Sequence, residues 1–130
     1  MQEKTEIYVS DVHFPYEDKI AWDLAKAVIA AVKPNILFLG GDIVDFYPVS
    51  SFDKDPARKQ DLQKELDRTA FELQELRTLV PDAEVYYQEG NHESRLTRYL
   101  WKRAEELASL RSLALPELLN FKKLGITWIP

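Results

Sequence analysis

Apolar and polar positions fall along this chain in blocks. Three short apolar runs stop abruptly against acidic, amide or imidazole side chains. Ile7-Tyr8-Val9-Ser10 passes into Asp11-Val12-His13, and Ile36-Leu37-Phe38-Leu39 into Gly40-Gly41-Asp42-Ile43-Val44-Asp45. Val85-Tyr86-Tyr87-Gln88 runs into Glu89-Gly90-Asn91-His92-Glu93. Short runs of β-branched and aromatic residues predict strands, here over 6–10, 35–40 and 85–88. Two glycines closing the second run predict a backbone turn that a Cβ would resist. The side chains after each run emerge at the carboxyl edge of the sheet, where open α/β sheets place their ligands.

Helical spacing fills the intervals. Ala21, Leu24, Ala25, Val28 and Val32 fall on one face at 3.6-residue spacing, after Glu17 and Asp18 and before Pro34. That face is expected to pack on the sheet. Leu62, Leu66, Ala70, Leu73, Leu76 and Val80 line one side of a helix over 61–80. Their spacing approaches a heptad, but the stretch is under three heptads long and Pro81 ends it, so a core-facing helix is the better reading than a coiled-coil seam. A third helix is expected over 94–110, with Leu96, Leu100, Ala104, Leu107 and Ala108 on one face and Arg95, Arg98 and Lys102 opposite. A short helix over 113–120 and a strand over 126–129 complete the reading. Strand, helix, strand in succession implies right-handed parallel crossovers and an α/β fold. Residues 46–59 show no period and carry Pro48 and Pro56, which fits a loop over the site or a simple excursion.

Composition narrows the picture. At 130 residues and 45% hydrophobic the chain is one domain with a packed core. The net charge of -5, from 17 basic and 22 acidic residues, gives no global attraction to nucleic acid or anionic membranes and leaves room for a local basic patch. With no cysteine, disulfide and thiolate chemistry are excluded. The first residues have no apolar signal region and no run is long enough to span a bilayer, so a soluble cytoplasmic protein is expected.

The chemistry lies in the polar ends of the runs. Asp11 and His13, two apart on an extended segment, leave one face and can share an ion. A carboxylate with an imidazole favours manganese, iron, zinc or nickel over calcium. Asp42 has two oxygens and is the natural bridge if the centre is dinuclear. Asn91 offers a neutral oxygen, and His92 beside it is free to act on a substrate. Asp11, Asp42 and Asp45 would crowd negative charge that a cation relieves. Arg95, Arg98 and Lys102 would hold phosphate or form a solvated face paired with Glu93 or Glu105.

Asp11-Val12-His13, Gly41-Asp42-Ile43-Val44-Asp45 and Gly90-Asn91-His92-Glu93 occur in the order found in the calcineurin-like metallophosphoesterases, which the chain resembles over nearly its whole length. Other segments, His13-Phe14-Pro15-Tyr16 and Phe52-Asp53-Lys54-Asp55-Pro56, look like the uncharacterised members often carried by phages and prophages. The resemblance implies the N-terminal half of an αββα sandwich over 1–130. It implies hydrolysis of a phosphomonoester or phosphodiester by a metal-bound hydroxide. Arg95, Arg98 and Lys102, which could track a phosphate backbone, together with the acidic net charge favour a nucleotide or nucleic-acid end as substrate. By position, Asp11 and His13 would bind the first metal, Asp42 would bridge and Asn91 would bind the second. His92 would stabilise the transition state or protonate the leaving oxygen, oriented by Glu93, and Asp45 would support the ligands. Two divalent ions are implied for the complete enzyme, manganese foremost.

Relatives of this kind supply further histidines from a C-terminal half, and this chain has only His13 and His92. The second ion is therefore expected to have only Asp42 and Asn91, and the chain to pair with another copy or with a missing C-terminal half. The competing reading is a binding or assembly module that keeps the fold without turnover.

Overall fold

The computed structural model describes residues 3–57 and 61–130. The last two positions of the expected 46–59 loop, Arg58 and Lys59, lie outside the described residues.

Four strands, β1 (Glu6–Val9), β2 (Ile36–Leu39), β3 (Glu84–Gln88) and β4 (Ile126–Ile129), form one sheet in that order, every neighbouring pair parallel. The chain is therefore α/β, with successive strands added on the same side. Right-handed crossovers in that order carry all the connecting helices to one face. Burial agrees. Leu37, Leu39, Val85, Tyr87 and Ile126 are buried beneath the helices, while the alternate positions are not. On the other face Tyr8, Phe38 and Tyr86 stand in register and stack, with ring centroids 5.4 and 6.1 Å apart. Parallel strands apolar on both sides ordinarily sit between two layers. Here the described residues cover one.

Helix α1 (Lys19–Val32) starts where Asp18 accepts the Ala21 N–H at 3.0 Å and stops at Lys33, in the left-handed region before Pro34. Its buried face differs from the expected one. Trp22 and Ile29 are buried with Ala25 beside them, whereas Leu24, Val28 and Val32 are exposed and Ile20 is 84% exposed. The helix carries two apolar stripes, and the one bearing Trp22 wins. Its large ring packs edge-on against Phe14, and its indole N–H reaches Glu72 at 2.9 Å.

Helix α2 (Leu62–Leu79) keeps its expected limits, capped by Asp61 accepting the Lys64 N–H at 2.7 Å. Leu66, Leu73, Leu76 and Val80 are buried, together with three polar residues that periodicity did not mark: Glu65, Thr69 and Glu72. Glu72 is held by Trp22, Arg68 and Lys26. At the far end Arg77 donates to the carbonyls of Val80, Ala83, Leu124 and Gly125, tying α2 to the last strand.

The third helix is shorter than its period predicts. Helix α3 covers Arg95–Arg103 and ends at Ala104, where φ is -157°. Only Leu96 is buried, and Leu107 and Leu110 beyond the break are 42% and 48% exposed. A marginal helix persists only while its apolar face has cover. Past Leu100 that cover ends, and the chain proceeds through short 3₁₀ turns at Glu105–Leu107 and Arg111–Leu113. The predicted helix over 113–120 is a single turn, α4 (Leu115–Leu118), followed by α5 (Phe121–Leu124), whose Phe121 packs on Tyr87 and Trp128. No helix among the described residues is long and apolar enough to cross a membrane.

Candidate metal centre and adjoining cleft

The loops after β1 and β2 are laced together. The N–H groups of Asp11, His13 and Phe14 donate to the carbonyls of Gly41, Asp42 and Ile43 at 2.8 to 3.0 Å, and the Asp45 N–H returns to Phe14. Within them Asp11, His13, Asp42 and Phe46 all have φ between 53° and 59°. Non-glycine residues resist that region, and clusters of them occur where a fold holds side chains in a required place. Asp11 and His13 therefore do not meet through strand alternation, as the extended reading supposed; left-handed backbone turns both.

The third loop is fastened by Glu93. Its Oε1 accepts the N–H groups of Asp42 at 2.6 Å and Gly90 at 2.8 Å. Its Oε2 accepts those of Ile43 at 2.9 Å and Val44 at 3.1 Å, and the Tyr87 hydroxyl at 2.8 Å. Burial raises the Glu93 carboxyl above its usual range, and these donors oppose the rise. Among the described residues no hydrogen bond joins Glu93 to the His92 ring, so the orienting role expected of it falls elsewhere. Glu93 shapes the backbone that carries Asp42. Gly90 permits this, because a Cβ there would lie 2.5 Å from Asp42 Oδ1 and 2.6 Å from its nitrogen.

Asp45 orients His92. The imidazole Nδ1 lies 2.8 Å from the Asp45 carbonyl, which can only accept, so Nδ1 carries the proton and a neutral ring has its lone pair on Nε2. Asp45 Oδ1 stands 3.3 Å from both His92 Nδ1 and His13 Nδ1, and Arg95 donates to the Asp45 carbonyl at 2.8 Å.

His13, Asp42 and His92 each offer one ligand atom, all within 4.8 Å of one another. Asp42 Oδ1 also accepts the His92 N–H at 2.9 Å. Asp11 stands at the margin, exposed, with Oδ1 3.8 Å from His13 Nε2. The Asn91 side chain shows no bond to this group, while its carbonyl accepts from Ser94 and Arg98. His13 Nδ1 and Asp45 Oδ2 are buried without hydrogen-bond partners among the described residues, as at a polar centre that an ion would complete. Two imidazoles and a carboxylate suit manganese, iron, zinc or nickel, so the residues fit a divalent cation. Sequence reasoning placed His92 on the substrate alone, and only the fold brings its ring 4.4 Å from that of His13.

Beside the centre opens a cleft of about 990 Å³ between the 49–54 loop and α3. Asn91 and His92 form its inner end, and Lys54, Arg95, Arg98, Lys102 and Arg103 contribute five cationic side chains to a lining without an acidic one. Phe52 and Tyr99 are 70% and 44% exposed there. Arg95, Arg98 and Lys102 were legible as a basic face. Phe52 and Lys54 were given no place at the site, since a loop without period does not say which side chains turn inward, and Arg103 was not counted in the basic face.

No family model matches the chain, and no curated protein matches it. The functional reading stands on this geometry and on the three motifs.

Proposed function

We propose that the chain is a metal-dependent phosphoric ester hydrolase acting on a phosphomonoester or phosphodiester, and that its fold is the N-terminal half of a metallophosphoesterase-type sandwich. The observation that carries the reading is the meeting of His13, Asp42 and His92 at the tips of parallel strands, in a chain whose motifs follow the order of that family. A divalent cation there, manganese first among iron, zinc and nickel, would supply Lewis-acid charge to a phosphoryl oxygen and acidify a water. His13 and Asp42 would hold it, with Asp11 and Asn91 as further donors for one or two ions. The Asp45 carbonyl fixes the His92 ring, and second partners of this kind commonly govern metal affinity. His92 Nε2 serves either as a ligand or as the group that meets the leaving oxygen. Arg98, in the lining of the cleft beside Asn91, positions the phosphate. The bare sheet face with Tyr8, Phe38 and Tyr86 is where the second sheet of such a sandwich, or another copy, would pack.

Hydrolysis of bis(p-nitrophenyl) phosphate with added manganese tests the proposal. Activity should require the metal and fall by more than about a hundredfold in Asp42→Asn. Manganese binding without cleavage would favour the binding-module reading.

A further inference from the structure

We propose that the cleft beside the metal centre is a track for single-stranded nucleic acid, DNA or RNA, leading a phosphate of the strand to His92. The inference deepens the hydrolase reading and rests on it for the chemistry at the inner end, while the binding itself needs no metal.

Three features of the lining favour a strand over a compact phosphomonoester. The first is the number of cations. Arg95 is committed to Asp45, Lys54 donates to Ser50 and Phe52 carbonyls, and Arg98 donates to the Asn91 carbonyl. Lys102 and Arg103 have no bonded partner among the described residues and are exposed. A single phosphate at the centre would leave these two unused, whereas neighbouring phosphates of a strand would reach them. The second is their arrangement. Arg98 and Lys102 are one turn apart on α3, about 6 Å along the axis, comparable to the step between phosphates of an unstacked strand.

The third is aromatic. Phe52 projects from the opposite wall with the Arg95 guanidinium 5.9 Å from its ring centre, and Tyr99 lies on α3. Exposed rings beside a row of cations are how proteins hold unstacked bases without reading sequence. A duplex keeps its bases stacked inside and has nothing to offer these rings. The net charge of -5 also confines attraction to this one patch.

The test is fluorescence anisotropy of labelled oligothymidylate and oligouridylate of about a dozen nucleotides, with EDTA present, on the full chain. Both should bind and exceed a duplex of equal length in affinity. Phe52→Ala should weaken binding about tenfold. Lys102→Ala with Arg103→Ala should reduce the slope of log affinity against log salt by about 1.4. All three positions are exposed, so these variants keep the fold. Equal or tighter binding of the duplex, an unchanged affinity in Phe52→Ala, or no binding of either strand would overturn the inference. Strand binding without cleavage in manganese would leave it standing and remove the hydrolase reading. Cleavage of the small diester without strand binding would do the reverse.

Discussion

Two buried glutamates, one at the strand tips and one in the helix layer, show how differently the same side chain can serve a fold. Glu93 lies where three loops meet and accepts five hydrogen bonds on two oxygens. Glu65, fully buried on α2, accepts the Tyr47 N–H at a long 3.4 Å, and its Oε2 has no partner among the described residues. Burial lifts the Glu65 carboxyl to about 7 from 4.5, helped by the nearby Asp45 charge and opposed by the Tyr47 N–H. One carboxylate organises backbone that would otherwise be orphaned, and the other is a cost the core carries. Burial alone therefore says little about what a charged residue contributes.

The widest separation between the two regions should come from Glu93→Ala. It strands the buried N–H groups of Ile43 and Val44, the part-buried ones of Asp42 and Gly90 and the Tyr87 hydroxyl, so the loss of stability is on the order of 3 to 5 kcal/mol. Urea unfolding measures it, and a loss below about 1 kcal/mol would erase the contrast.

Glu65→Gln should act in the opposite direction. Between its unfolded and folded pKa values the folded state holds the proton more tightly, so stability falls as pH rises from about 4.5 to about 7 and stays lower above. The variant should lack that part of the decline and exceed the wild type at about pH 8 by roughly 1 to 3 kcal/mol. Parallel melting profiles of the two proteins from about pH 5 to pH 8 would show that Glu65 is no burden.

The smallest effect belongs to the outer surface of the helix layer. Leu24→Lys falls on the stripe that periodicity assigned to the core and the fold leaves exposed, at 65%. It should change the stability of the monomer by less than about 0.5 kcal/mol. A loss of 2 kcal/mol or more, measured by the same urea titration, would restore the periodic assignment.

How far the sequence could be read follows from where each determinant lies. Strand positions, the limits of α2 and its apolar face depend on neighbours a few residues away, and all were visible. The face of α1 was not, because Leu24, Val28 and Val32 make as good a stripe as Trp22, Ala25 and Ile29, and only a partner on α2 separates them. The end of α3 was hidden for a related reason, since its period continues after its cover stops. At the site, the motifs identified the side chains that gather, but not the part each plays. The role of Glu93 depends on amides about fifty positions upstream, and the pose of His92 on the Asp45 carbonyl. Neither partner can be inferred from local spacing.

The reach of Glu93 also sets an order of assembly. Three of the four amides it fastens belong to the loop after β2, 51 positions earlier in the case of Asp42, so a chain emerging from synthesis can pair its first two strands before that clasp exists. Asp42 is held from the loop after β1 by the His13 N–H, but its own N–H stays open until β3 has docked and the clasp closes. An intact centre therefore registers that the third strand is in place.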